Sequence, residues 1–451
     1  MERSYRVSEK WRCALVMAAI FAVALLMRLY YVIHALGVIP IQGDAVQYFA
    51  YAWNLVHHGV FSMAHPGADV VVADSFRDPG YPLMLASLML AIPDQDLWFG
   101  VVLLAQAALG ALTVLLAMLA GRAWLSLPAV ASAGILMAVW PHSIAITSNV
   151  LSETLTAFLV TASVASLATA CRTTGRRAYA WAAVAGLLFA ATALTNAVFA
   201  PVGPIVGIVL CYRQSKWNRT WAVMLACTLL PLMAWQVRAA TLPSADSSSH
   251  RAMMNFIQGS WPIYHDAYML YSVGDPRGQS VLDAINVEYR TMLESPSKGL
   301  ALIRERMAKS PGTYVAWYVS KPWILWSWRI RLGNKDIYVF PVRFSPFQTD
   351  AIWRTVIAVC SAINPLVFML AIGGIVVTIG ERRSIPAVVI AVVLLFCTAV
   401  YTVLQSEPRY GLPIRPFELL MAATAISRVR TWVRERSLGP DKIGTKFSFE
   451  R

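Results

Sequence analysis

Of the 451 residues, 58% are hydrophobic and 14% charged, where a soluble domain carries about a quarter charged residues. Apolar runs of the roughly 20 residues needed to cross a bilayer recur along the chain, which excludes a soluble globular protein and predicts an all-α polytopic membrane protein of about ten spans (range about 9–12). The net charge of +14 could suggest nucleic acid, but it is segregated by topology, so no nucleic-acid partner is expected.

The predicted spans cover 13–33, 97–120, 127–141, 151–170, 178–198, 199–212, 219–238, 352–379, 385–404 and 410–427. No small-residue cleavage pattern follows the first, which reads as a retained span and not a signal peptide. Behind it, the first external loop (34–80) carries GDAVQYFAYAWNLVHHGVF at 43–61 and FRDPGYP at 76–82. Asp44, Tyr48, Tyr51 and Leu55 share one helix face by spacing. Asp44 and Gln47 also fit a capping box; cap and carboxylate at a membrane surface are compatible roles. In Arg77-Asp78-Pro79-Gly80-Tyr81-Pro82, Asp78 reads as a helix cap with Pro79 at the first helical position. That leaves Arg77, whose guanidinium suits a phosphate or a pair with Asp74 or Asp78. The stretch 81–92 is too short to cross and reads as interfacial or re-entrant.

Ser152-Glu153 opens a span, where an acid favours the helix dipole and, near hydrocarbon, is a functional candidate. The spans 178–198 and 199–212 need a turn within Asn196–Pro204. An external insert (239–350) opens with PSADSSSH, a connection of turn formers. Helical patterns follow at Ser280–Leu293 and Ser297–Lys309. A segment with Trp317, Trp323, Trp326 and Trp328 then suits the outer membrane interface. Glu407, Arg409 and Tyr410 occupy the turn before the last span; Arg409 can pair with Glu407, and Tyr410 can anchor the interface. The units are thus 1–238, 239–350, 351–427 and a basic tail, 428–451.

Sidedness follows from the arginines. An inside N-terminus places Arg3, Arg6, Lys10 and Arg12, then Arg122, Arg172, Arg176, Arg177, Arg213, Lys216, Arg219, Arg382 and Arg383 inside with the tail. The loop 34–79 carries Asp44, Asp69, Asp74 and Asp78 against Arg77 alone. The six cysteines fall in spans or at their inner ends, so no disulfide framework is expected. No histidine pair has metal-ligand spacing. Four acid or arginine sites, in separate segments, map to one external face.

In that order, an acidic first loop, R-x-P-x-Y-P, S-E opening a span and R-Y-x-x-P before the last one resemble the GT-C glycosyltransferases. The likeness is to bacterial relatives of the protein O-mannosyltransferases and lipid A aminoarabinose transferases. The resemblance covers the chain to about residue 427. It implies transfer of a hexosyl or pentosyl group from a polyprenyl-phosphate sugar to a lipid, glycan or protein acceptor, at the outer face of the bacterial cytoplasmic membrane. It places Asp44 at the catalytic position; where relatives often carry a second acid, Ala45 stands. A carboxylate there would take the acceptor proton. Arg77, Arg409 and Arg329 are candidates to stabilise the leaving lipid phosphate. Tyr48, Tyr81, Glu153, Glu407 and Tyr410 are candidates for sugar, acceptor or supporting contacts. One phosphate needs less neutralisation than a nucleotide diphosphate, so no cofactor is required on these grounds, and metal dependence is left open. Competing readings are an O-antigen polymerase or ligase, a secondary transporter of an anionic solute, which would want charges near the midplane, and a membrane scaffold.

Overall fold

With no water in a bilayer core, each apolar segment must satisfy its own backbone, which makes helices of them. The computed structural model describes residues 2–214, 219–242, 247–331, 337–381 and 384–437; the side chains of 2–8, 214 and 437 fall outside that description. The first block comprises α1 (Glu2–His34), α2 (Asp44–His58), α3 (Gly80–Ala91), α4 (Gln95–Gly121), α5 (Leu127–Val139), α6 (Pro141–Ala145), α7 (Glu153–Ala170), α8 (Gly175–Thr195), α9 (Val202–Gln214) and α10 (Arg219–Ala240). The insert comprises α11 (Ser248–Gly259), α12 (Tyr264–Ser272), α13 (Pro276–Glu294), α14 (Pro296–Lys309) and α15 (Pro311–Trp326). Then come α16 (Pro346–Thr349), α17 (Ala351–Gly380), α18 (Ile385–Val403), α19 (Pro408–Gly411) and α20 (Arg415–Ser437). A two-residue antiparallel ladder joins Leu36–Gly37 to Val342–Arg343.

The chain is thus an all-α polytopic membrane protein. Among the described residues, seven helices are long and apolar enough to cross a membrane: α1 from Glu9, α4, α7, α8, α10, α17 and α18. α5 and the helical stretch 141–148, bent by 55° at the break, form either a broken eighth span or a re-entrant loop. Pro141, lacking an N–H, starts the second piece, and Arg28 seals the first. Its guanidinium donates to Ala138 O (3.2 Å) and Met137 O (3.3 Å), a cation on the carbonyls of a helix C-terminus. The remaining two predicted spans differ. α9 has 13 residues, and the chain enters α20 only at Arg415, because Pro408 and Pro413 each start a fresh turn. The predicted turn between 178–198 and 199–212 is present: Asn196 caps a short 3-10 turn, Ala197–Phe199. Span interiors are also less free of charge than the sequence suggests. Arg28 is buried in α1, and Arg415 pairs with Glu418 at 2.5 Å inside α20.

The insert is helical, with α13 and α14 where the amphipathic patterns predict. Prolines 276, 296 and 311 each take an early helical position, which their missing N–H favours. In the opening PSADSSSH, Pro243 to Asp246 lie outside the described residues, as do Lys216, Arg382, Arg383 and the tail beyond 437; Ser247 caps α11. The tryptophans do not all face the membrane interface. Trp317 and Trp326 are buried, donating to Gly259 O (2.9 Å) and Thr398 Oγ1 (3.2 Å), while Trp323 is exposed. The segment is a joint between the insert and α18. Its centre is Lys321, fully buried, whose ammonium donates to Gly259 O (2.7 Å) and Leu404 O (2.6 Å) at the ends of α11 and α18. Lys321→Met takes the ammonium from Leu404 O and leaves Gly259 O with the Trp317 indole alone, at a cost of about 1–3 kcal/mol for the carbonyl left without a donor. The variant should show accelerated limited proteolysis within 247–326 while still inserting; an unchanged cleavage pattern would mean that the clasp does not hold the insert.

Candidate functional site

Gly43 precedes α2 with φ of 56° and ψ of −127°, a conformation open to glycine. This turn makes Asp44 the first helical residue instead of the cap, and no side chain caps α2. The predicted capping box is therefore absent. Asp44 instead sits between two arginines: Arg77 Nη2 at 2.6 Å from Oδ1 and Arg409 Nη2 at 2.8 Å from Oδ2. Gln47, one turn on, accepts from Arg77 Nε at 2.6 Å. Arg77 thus pairs with neither Asp74 nor Asp78. Arg409 does not turn to Asp44 alone: its Nε lies 3.1 Å from Glu153 Oε1.

Each member is delivered by a different element. Arg77 is fixed through its own backbone, since its N–H donates to Tyr51 Oη (3.3 Å) and Tyr51 in turn donates to Asp74. Asp74 also accepts from Met63 N at 2.6 Å, so the loop 59–79 folds back on α2. Asp78 does not cap α3, whose N-cap is Pro79. It accepts from Ala197 N (3.1 Å) and from Arg251 of α11 (2.7 Å), tying the loop to the end of α8 and to the insert. Gly80 makes this fit possible: a Cβ there would lie 2.2 Å from Thr195 Oγ1 and 3.0 Å from Leu194 O. Glu153 begins α7 after the bent pair held by Arg28, and Arg409 lies on α19.

The other predicted residues fall at graded distances from this cluster. Tyr48 donates to Ser152 Oγ (3.3 Å), and the Arg77 guanidinium lies 4.9 Å from its ring centre. Tyr81 is a layer behind, buried against Tyr48 and donating to Gln106 Oε1 at 2.9 Å. Tyr410 stacks on Tyr401, and Glu407 is buried beside it. Arg329 is exposed and is not brought to the cluster. Arg251 supplies a cation there instead, and Gln47 and Asn196, read from the sequence only as cap and turn residues, line the same cavity.

Asp44, Arg77, Glu153, Arg409 and Tyr410 line one cavity of about 640 Å³. Its lining also includes apolar side chains, among them Phe396 and Val400 of α18 with Val198 and Pro201. Burial opposes charge on Asp44, but the Arg77 and Arg409 guanidiniums outweigh it and hold its carboxyl well below the usual carboxylate range. Against its own burial, Arg409 is held protonated by Glu153 and Asp44. Burial pushes the Tyr410 hydroxyl well above its ordinary value, leaving it a neutral hydrogen-bond donor. Among the described residues no three His, Cys, Asp or Glu side chains converge on a point that suits a metal ion.

The fold that carries this charged cluster is shared with solved oligosaccharyltransferase and ArnT structures. Among solved structures, the oligosaccharyltransferase of Archaeoglobus fulgidus tethered to an acceptor peptide superposes with a TM-score of 0.53 at 14% identity, over 96% of this chain and 51% of its own. The same organism's AglB, in complex with an inhibitory peptide and a dolichol-phosphate, gives 0.51 at 14% identity, over 95% and 52%. ArnT from Cupriavidus metallidurans bound to undecaprenyl phosphate gives 0.50 at 13% identity, over 94% and 61%. The chain therefore spans about half to three-fifths of the length of these solved proteins. No protein-family model and no curated relative matches it.

The tight start of α3 yields a test. Gly80→Ala should push α3 from α8, lowering thermal stability with insertion intact, as overpacking a tight contact does. Adding Thr195→Ala removes the nearest clash and should restore part of the loss. Wild-type stability in Gly80→Ala would show that the close approach of α3 to α8 relaxes without cost.

Proposed function

We propose that the protein is an integral membrane glycosyltransferase. In this reading it moves a hexosyl or pentosyl group from a polyprenyl-phosphate donor to a hydroxyl of a lipid, glycan or protein acceptor, at the outer face of the bacterial cytoplasmic membrane. The supporting observation is the placement of Asp44 between two guanidiniums, on the wall of a cavity that apolar side chains also line. A lipid phosphate needs both surfaces at once. AglB and ArnT, which share the fold, were solved with dolichol-phosphate and undecaprenyl phosphate, and this supports the donor class. The blocks 1–238 and 351–427 then hold the chemistry, 239–350 closes over it, and the tail from 428 is cytoplasmic.

At rest, Arg77 and Arg409 face Asp44 and Glu153. A donor phosphate enters by sharing the guanidiniums, and the same exchange returns basicity to Asp44. The acceptor oxygen forms the new bond to the anomeric carbon as the bond to the phosphate oxygen breaks. The acceptor proton passes to Asp44, and the electron pair leaves with the lipid phosphate, where the arginines meet the growing charge. Asp44→Asn keeps shape and removes basicity, so transfer from a polyprenyl-phosphate sugar in detergent should fall by about 100-fold or more. Arg77→Lys and Arg409→Lys keep a charge but lose the fork, so turnover should fall along with donor affinity. Normal turnover in Asp44→Asn would reduce Asp44 to a structural ion-pair partner.

The pH dependence carries a sign. With its carboxyl held below the usual range, Asp44 stays ionised in the free enzyme from about pH 5 to 8 and loses its charge only as pH falls far below its ordinary value of about 4. Once the phosphate draws the guanidiniums away, its affinity for a proton rises. The acid limb of kcat should therefore lie at higher pH than the acid limb of kcat/KM, since these report the complex and the free enzyme respectively. Coincident limbs would contradict a base released by its own substrate.

A further inference from the structure

α11 lines the same cavity as the Asp44 cluster. Ser248, Arg251, Asn255 and Gln258 all line it, and their spacing of three, four and three residues puts them on one helix face. Arg251 is committed to Asp78 at 2.7 Å, which fixes the helix against the catalytic loop. Ser247 caps its start and Lys321 holds its end at Gly259 O. Between these anchors the carboxamides of Asn255 and Gln258 face the cavity, and among the described residues no side chain or backbone group engages them. Two amides held on a rigid helix, without partners of their own, are good hydrogen-bonding choices, each offering a paired donor and acceptor. Tyr264 and Tyr268 of α12 line the same side. Amides beside aromatic rings suit a polyhydroxylated ring: neutral, with donors and acceptors on its edge and apolar faces.

Resting on the transferase reading above, we infer that α11 is the sugar-recognising wall of the site, with Asn255 and Gln258 as its specificity-determining side chains. The ring they read belongs either to the donor sugar or to a glycan acceptor, since both present hydroxyls to the same cavity. The phosphate stays with Arg77 and Arg409, so lipid-phosphate binding and sugar reading are carried by separate elements, one from the first loop and the last turn, the other from the insert.

The test is binding and transfer by full-length Asn255→Ala, Gln258→Ala and the isosteric Asn255→Asp and Gln258→Glu, compared with wild type. The probes are bare undecaprenyl phosphate and a panel of undecaprenyl-phosphate hexoses and pentoses. Bare lipid phosphate should bind all forms equally. If the wall reads the donor, each alanine variant should lose about five- to tenfold in affinity for the preferred sugar-lipid, the net value of one or two neutral hydrogen bonds, and should discriminate less within the panel. If it reads a glycan acceptor, donor affinity is unchanged and the acceptor KM rises by a similar factor. The isosteric variants preserve packing, so the same selective loss in them excludes misfolding. Equal donor affinity, panel preference and acceptor KM in all five proteins would overturn the inference while leaving the transferase reading standing. Failure of the wild type to bind bare undecaprenyl phosphate would instead overturn that reading, and the wall with it.

Discussion

One carboxylate between two guanidiniums organises this protein. Asp44 reaches Arg77, 33 residues away, and Arg409, 365 residues away, and so closes the loop that follows α1 onto the turn before α20. Charges at a membrane boundary are expensive unless paired. The pairing therefore fixes where α2, the 76–82 loop, α7 and α19 stand relative to one another. The Arg28 seal on α5 and the Tyr51–Asp74–Arg77 chain serve that convergence. The insert is fastened to it from two sides, by Arg251 on Asp78 and by Lys321 on the ends of α11 and α18.

The same arrangement separates chemistry from transport. Of the ionisable groups buried within spans, Arg28 is spent on backbone carbonyls, and Arg415 on Glu418 and Asn364. Such groups hold helix ends and turns in place. The exposed share of charge is in the cluster: 31% of the Asp44 side chain remains accessible, at the cavity. A carboxylate presented to a cavity, with its arginines shared between it and an incoming anion, suits a proton acceptor that works only when the anion is present.

The helical membrane fold was legible in the sequence because hydropathy is a one-dimensional signal. Asp44, Arg77, Glu153 and Arg409 were each legible as charged residues in short motifs at span ends, and the fold brings them into contact. Local rules failed where long-range charge outweighed them. Asp44–Gln47 and Asp78 have the sequence of helix caps, yet ion pairs worth more than a cap draw those carboxylates elsewhere. Tryptophan density in 317–328 reads as interfacial, but two of the four indoles found buried acceptors. Arg329 carried no positional signal beyond its charge, and it lies outside the site. Arg251, Asn255 and Gln258 did carry one, a polar stripe at helical spacing. It stayed silent because nothing in the sequence says which face of an external helix looks inward.

The central claim is that Arg77 and Arg409 form a seat for a lipid phosphate beside Asp44. Native mass spectrometry of the detergent-purified protein with undecaprenyl phosphate tests it most directly, with the double variant Arg77→Ala, Arg409→Ala as comparison. The account predicts one lipid phosphate retained by the wild type and lost from the double variant, with both proteins folded. Equal retention by the two, or none by the wild type, would contradict it.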